Sequence, residues 1–421
     1  MFPRGLLISI GVVIFLVAGT TVAIYWARGY RPNLKDATFL PTGLLVANSF
    51  PTGAQVYIND KLTTATDNTI NLAPGDYKIK IVKDGYLSWE KNLKLQKELV
   101  TQTNTLLFPA APDLKALTYV GITNPVPSPD GRKIAFVILS SNSADKNGLY
   151  ILDLSNRTLS FKSETRQIAK LEAFNFEKAK FIWSPDSVNL LAWQENLTGE
   201  IVSSVLLDVN KMNDVLPDQT AKISVLLDEW ETDINLKTKE RIAKLPKKLD
   251  ELLKNNSTNL YWSPDEEKLL FTATASATIP DGLIAALPAS NTQPQTRALE
   301  QGKIYVYDLK EDRNFLVGET LETPKQSTSS SQLSQIAKQY TPIFTQNIQW
   351  YSDSKHLITS LKDKIIIQEY DSTNKMTVYA GPIMSTDTYP FVYPWADGSK
   401  LIILTTLNKD MPANLYAVNL K

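Results

Sequence analysis

The chain has 421 residues, 43% hydrophobic and 21% charged, a balance that suits folded domains and more than one of them. Lys plus Arg and Asp plus Glu each number 44, so the formal net charge is zero, and the total gives no footprint for nucleic acid, whose binding needs a basic surface. Cysteine is absent and His356 is the single histidine, which excludes disulfides, thiolate chemistry and multi-histidine metal sites.

Residues 1–4 read as a short cytoplasmic N-terminus. The next segment, Gly5 to Trp26, is an unbroken uncharged run, GLLISIGVVIFLVAGTTVAIYW. At 1.5 Å per residue a helix of this length covers roughly 33 Å, the thickness of a bilayer's hydrocarbon core. Tyr25, Trp26 and Tyr30 stand where interfacial aromatics belong, beside Arg28 and Arg31. The pattern predicts a transmembrane helix over 5–26 and a protein held in a cell membrane by a single pass. A cleaved signal peptide is the alternative. Against it, the apolar run exceeds the usual length of about 7–15 residues and ends in bulky Tyr-Trp. Arg4 lies on one flank and Arg28, Arg31 and Lys35 on the other, which by itself favours a cytoplasmic body. Large C-terminal domains often translocate regardless of such flanks, so this count decides little.

Residues 27–40, with Gly29 and Pro32, read as a linker. Strand signals follow over 41–108. GLLVANS (43–49) runs into a Pro51-Thr52-Gly53 turn, AQVYIND (54–60) places Val56 and Ile58 on one face, and LAPGD (72–76) turns into YKIKIVKDGY. There Tyr77, Ile79 and Ile81 face one way and Lys78 and Lys80 the other, the period of two of a sheet with one wet face. LSWEKNLKLQ and VTQTNTLLF complete six or seven short strands, which predicts a small β-sandwich. The order of features resembles the PEGA domain, whose turn appears here as Pro51-Thr52-Gly53-Ala54. The VYIND hairpin, the LAPGDYKIKI strand and the segment Asp84-Gly85-Tyr86 with Trp89 follow in that order. Thr52 departs from the family's Glu at a turn position where Pro and Gly set the backbone. The resemblance implies a non-catalytic module of the cell envelope, and so a body on the extracytoplasmic side. Tyr86 and Trp89 offer a sugar-stacking platform in principle, but core packing is the ordinary use of such aromatics.

From 112 to 421 one phrase recurs: an apolar strand, a Ser-Pro-Asp-type turn, a second apolar strand. It appears as PVPSPDGRKIAFV (125–137), FIWSPDSVNLLAW (181–193), LYWSPDEEKLLFTA (260–273), IQWYSDSKHLITS (348–360) and FVYPWADGSKLIIL (391–404). A third strand follows most copies, as in GLYILDLS (148–155), GKIYVYDLK (302–310) and NLYAVNLK (414–421). Pro presets φ for the turn, Asp accepts from the following backbone, and Gly131 and Gly398 suit a left-handed position. Trp183, Trp262 and Trp350 precede the turn on an inner strand and would pack between neighbouring sheets. Repetition of this kind signals a β-propeller, here of about five blades with a degenerate sixth left open, and the phrase resembles the TolB-like, WD-like propeller repeat. The lone strand LKALTYVG (114–121) and the final NLYAVNL would share the last blade, which predicts proximity between the neighbourhoods of Tyr119 and Tyr416.

Insertions account for the uneven spacing. Residues 229–257 carry Ile242, Leu245, Leu249, Leu252 and Leu253 at helical spacing around Pro246, which predicts two short amphipathic helices. Residues 274–300 and 322–342, rich in Ser, Gln, Ala and Pro, read as mobile loops.

No catalytic signature stands out: no Gly-x-Ser-x-Gly, no His-Glu-x-x-His, no Walker loop. His356 reads as an ordinary strand or surface residue. Asp130, Asp186, Asp265 and Asp353 each occupy the same turn position, so turn chemistry accounts for them. The sequence therefore assigns no catalytic, cofactor or metal residue and no cofactor. It points to a membrane-anchored envelope scaffold or binding protein that takes a protein or polysaccharide partner. The alternative is a propeller enzyme with acid-only catalysis on glycans, which needs two facing carboxylates in the channel.

Overall fold

A computed structural model describes the whole chain except residues 1–3, 28–29, 34–37, 140–142, 156–164, 286, 289–290, 321–346, 387–388 and 409–410. The uncharged N-terminal run forms helix α1 (Arg4–Ala27), one residue longer at each end than the predicted span. Its stretch Ile8–Ala27 is long and apolar enough to cross a membrane, and none of it is buried against the rest of the chain. The described residues after the helix make specific contacts. Arg31–Asn33 pairs with Thr38–Leu40, the Arg31 guanidinium lies 4.3 Å over the Trp26 ring, and the Tyr30 hydroxyl donates to Glu98 at 2.8 Å.

The chain divides into two compact units, 1–110 with 286–294, and 111–285 with 295–421. Besides the two-stranded pairings of Arg31–Asn33 with Thr38–Leu40 and of Ser49–Phe50 with Thr105–Leu106, the first holds two larger sheets. One is the antiparallel sheet of Lys61–Ala65, Gln55–Ile58, Gly75–Val82 and Trp89–Leu95, in that spatial order. The other sets Gly43–Ala47 between Asn68–Leu72, antiparallel, and Val100–Gln102, parallel. The period of two decides what the sandwich buries: Val56, Ile58, Ile79, Ile81, Trp89 and Leu95 join Leu45, Ala47 and Leu107 in one core. Trp89 is 2% exposed and Tyr86 packs against the same core, so the ring faces of this pair serve packing.

The second unit holds five antiparallel meanders. The first sheet is Thr123–Pro127, Lys133–Ile138, Gly148–Asp153 and Thr165–Lys170; the second, of three strands, is Lys180–Trp183, Asn189–Glu195 and Ile201–Asp208. The third is Ser257–Trp262, Lys268–Ala273, Lys303–Asp308 and Arg313–Glu319, and the fourth Ile348–Trp350, His356–Ser360, Lys364–Glu369 and Met376–Ala380. The fifth runs Val392–Pro394, Lys400–Thr405, Asn414–Asn419 and then Leu114–Ala116 from the other end of the unit. Ala116 pairs with Tyr416, the Leu117 amide donates to Leu415 O at 2.8 Å, and the Thr118 hydroxyl donates to Asn414. The predicted strand closure is therefore present, and the unit is a β-propeller. The inserted segment 322–342 lies outside the described residues.

Neighbouring sheets pack face to face. Ala135, Val137 and Ile151 of the first sheet share a core with Trp183, Leu190 and Leu207 of the second. Leu270 and Val306 of the third pack with Trp350 and Leu357 of the fourth, and Phe136 of the first with Tyr393 and Ile402 of the fifth. Between the second and third sheets stand helices instead: α2 (Ile223–Ile242) and α3 (Lys247–Asn256), with Pro246 at the start of α3. α2 begins six residues earlier than the composition suggested. Trp230 and Leu227 bury against Leu191 and Trp193 of the second sheet, which lengthens the helix beyond its polar stretch. The described residues of 274–285 and 295–300 pair rather than form the predicted mobile loop. Ala277–Thr278 pairs with Ala298–Leu299, and Ile279 and Leu299 are buried. Arg297 binds Asp312 at 3.0 Å, and the Tyr307 hydroxyl donates to the same carboxylate, so a nearly buried ion pair pins this insertion.

Candidate functional site

Strand direction sorts the candidate residues between two ends of the propeller. In every sheet the first strand runs toward the Ser-Pro-Asp-type turn and the second returns, so the links between second and third strands lie at the opposite end.

At the turn end the geometry repeats. The Ser128, Ser184 and Ser263 hydroxyls donate to Asp130, Asp186 and Asp265 two residues on. The same hydroxyls accept from the backbone amides of Lys133, Asn189 and Lys268. Each Asp also accepts a backbone amide: Arg132 to Asp130, Val188 to Asp186, Glu267 to Asp265, Lys355 to Asp353 and Ser399 to Asp397, all between 2.8 and 3.1 Å. The residue after each Asp adopts positive φ: Gly131, Ser187, Glu266, Ser354 and Gly398. Only two of these are glycines; the carboxylate's hydrogen bonds hold the other three in that conformation. Burial pushes the Asp186 and Asp265 carboxyls up. Hydrogen bonds from the preceding Ser and the following amides, with the charges of Lys237 and Lys268 respectively, offset this and leave both below the usual carboxylate range. A carboxylate held this way stays ionised and serves as a fixed acceptor; a general acid needs the reverse shift.

His356 is buried, at 4% exposure, in the second strand of the fourth sheet rather than on the surface. Its Nδ1 lies 2.6 Å from Asp353 Oδ2, and the Tyr351 ring stands edge-on to it at 6.2 Å. Burial alone would lower the imidazole's pKa. The Asp353 carboxylate, through charge and hydrogen bond, and then Glu369 more than offset it, so the value is raised above the ordinary 6.5. Burial raises Asp353 in turn, and the His356 charge and hydrogen bond bring it below 3.8. The pair fastens a turn. The Tyr351 hydroxyl donates to Gly398 O, and the Ser352 hydroxyl to Trp395 O at 2.7 Å, tying the fourth sheet to the fifth.

The other end differs in chemistry. A cleft of about 400 Å³ opens where the fifth sheet meets the first, lined by 121–125, Leu139, 384–386, Leu404, Pro412 and Ala413. No lining residue is charged. Met384 in its wall is 40% exposed, and Tyr119, Val120, Leu407 and Met411, adjacent in sequence to lining segments, are 73%, 42%, 64% and 56% exposed. No motif signals this cleft, because its walls are links of unrelated sequence brought together by the strand closure. Among the described residues, no group of three or more His, Asp or Glu is placed to hold a metal ion.

Residues 42–110 match the PEGA domain family, and the first unit carries that domain. No curated protein matches the chain. Among solved structures the chain is similar to a putative TolB from Agrobacterium tumefaciens, at 13% identity over 70% of this chain and 70% of that one, with a TM-score of 0.21. It is also similar to TolB from Acinetobacter baumannii, at 13% identity over 82% of this chain and 60% of that one, with a TM-score of 0.21. A third is an oligogalacturonate lyase in complex with manganese, at 12% identity over 85% and 81% of the two chains, with a TM-score of 0.23. The propeller assignment rests on the sheet order and strand closure described above.

Proposed function

We propose that this is a membrane-anchored binding protein of the cell envelope, whose propeller takes a protein partner at the cleft between the fifth and first sheets. In this reading residues 1–4 are a cytoplasmic tail, 5–26 span the membrane, 27–40 join the span to the body, 41–108 are a PEGA spacer and 112–421 the binding propeller. The observation that carries it is the uncharged cleft with half-exposed Met384 in its wall, its lining segments flanked in sequence by the exposed Tyr119, Val120, Leu407 and Met411. Exposed Met and Leu around a concave wall adapt to apolar side chains of a partner, whereas a polysaccharide site wants planar aromatics and many fixed polar groups. The turn carboxylates give no support to an acid-only enzyme, since each is engaged in its own turn. The PEGA domain favours an extracytoplasmic body, against the weak pull of the flanking arginines.

Two measurements test this. A photo-crosslinking residue at Met411 or Leu407 in intact cells should give one discrete protein adduct, and the same residue at Val188, at the turn end, should give none. Equal labelling from both ends would defeat the assignment. Protease added to intact cells after outer-layer permeabilisation should degrade the body; full protection would place it in the cytoplasm.

A further inference from the structure

The helical pair raises a question that the cleft does not answer, because it stands at a place where the ring's repeating pattern is broken. Every other junction has direct ties between sheets. The Trp183 indole donates to Val126 O at 3.0 Å, and the Asp130 amide to the Ser187 hydroxyl, across the first and second sheets. The Trp350 indole donates to Tyr261 O, and the Asp265 amide to the Ser354 hydroxyl, across the third and fourth. Gln349 donates to Val392 O across the fourth and fifth. The fifth and first share a core.

Between the second and third sheets the faces are covered separately. Leu227, Trp230 and Ile234 of α2 pack on Ile182, Leu191 and Trp193 of the second sheet. Leu249 and Leu253 of α3, with Leu245 before it, pack on Leu269, Phe271 and Tyr305 of the third. The apolar attachment of α2 stops at Ile234. Beyond it Leu236 is 58% exposed, and Lys237, Lys239, Glu240 and Arg241 are exposed before the half-buried Ile242 that ends the helix. Residues 237–248 form a basic run that the neutral total conceals: Lys237, Lys239, Arg241, Lys244, Lys247 and Lys248 against Glu240. Lys237 and Arg241 fall at i and i+4 on one stripe of α2, and Lys244 follows in the turn just past its end. Arg241 Nε lies 2.9 Å from Glu266, Lys244 reaches the other oxygen of that carboxylate, and the Lys237 charge helps hold Asp186 low. Glu266 is the positive-φ residue of the third sheet's turn, the position that Ser187 and Ser354 use to link adjacent sheets. The basic stripe thus takes over at this junction the job a serine does elsewhere.

We infer that α2 and α3 occupy the place of a further sheet in the ring, and that this junction, latched by Arg241 and Lys244 on Glu266, is where the propeller opens. Opening there separates two helices joined by 243–246 and breaks exposed ion pairs, with no sheet face stripped. Side chains of 45%, 54% and 32% exposure make such a latch sensitive to salt. The inner strand of the third sheet agrees. Ser257–Trp262 has no fully buried residue, whereas Ile348–Trp350 of the fourth is buried throughout.

The absence of cysteine makes the test clean. Spin labels at Val188→Cys and Leu260→Cys span the junction, and labels at Val188→Cys and Arg132→Cys span the first. Raising salt to roughly 0.5 M should add a longer-distance population to the first pair alone. Glu266→Gln should produce that population at low salt, and raise amide exchange in 235–245 and 257–262 roughly tenfold with other inner strands unchanged. If Glu266→Gln fails to fold, the double variant Arg241→Gln/Lys244→Gln removes the latch from the other side with the same expectation. Identical responses from both label pairs, or none from either, would overturn the inference.

Discussion

The two ends of the propeller are built from the same strands but on opposite plans. At the turn end five copies of one device recur, each Asp accepting from the backbone two residues on, and Ser187, Tyr351, Ser352 and Ser354 of these turns bond to a neighbouring sheet. At the cleft end no such device recurs among the described residues: the links differ in length, carry no charge in the cleft wall, and leave large apolar side chains exposed. Repetition marks what every sheet needs in order to stand beside its neighbour. Departure from it marks what one place in the ring does alone, whether that is the cleft or the helical pair.

Substitutions can break this contrast. The largest effect is expected for Trp183→Ala, which empties a buried junction and removes the indole's bond to Val126 O; a loss of about 3–5 kcal/mol in the propeller's urea transition follows. A loss under about 1 kcal/mol would mean that the turn end does not carry the ring. His356→Gln comes next, leaving the Asp353 carboxylate, 29% exposed, without its counter-charge, at about 2–3 kcal/mol near neutral pH. This pair also sets a pH dependence. The raised His356 pKa gives stability that is complete below 6.5 and lost as pH climbs through the folded value, and the lowered Asp353 pKa gives stability complete above 3.8 and lost as pH falls. Thermal stability should therefore be highest between about pH 4 and 6.5, and His356→Gln should remove the decline on the alkaline side. A variant whose alkaline limb stays parallel to the native one would place that decline in another group. Asp186→Ala should cost about 1–2 kcal/mol, the worth of a turn carboxylate's hydrogen bonds. Smallest in stability is Met384→Ser, within about 0.5 kcal/mol, yet it should abolish the cleft-dependent adduct. If instead it destabilises like Asp186→Ala, the cleft wall is core and the contrast between the ends fails.

The sandwich and the repeated turns were legible because local chemistry decides them. Alternation at Val56, Ile58, Ile79 and Ile81 sets the buried face, and Ser-Pro-Asp sets a turn wherever it occurs. His356 was not legible as buried. Its partner Asp353 was read as a turn acid only, and pairing at three residues' distance depends on how the following strand tucks beneath Tyr351. The basic stripe of α2 was hidden for a similar reason. Its cations sit among acids in the composition, and only folding aligns Lys237, Arg241 and Lys244 toward Asp186 and Glu266.

By itself the sequence determined the apolar N-terminal helix, the PEGA sandwich, the repeated sheets and the pairing of the unit's two ends. Each follows from periodicity, turn residues or a lone strand in need of a partner. Helical spacing around Pro246 also placed two helices between the second and third sheets, and the tertiary structure decided which sheet face each of them covers. It alone decided that an uncharged cleft opens at the fifth and first, because that cleft is assembled from segments far apart in the chain, whose meeting depends on the strand closure and leaves no local pattern to read.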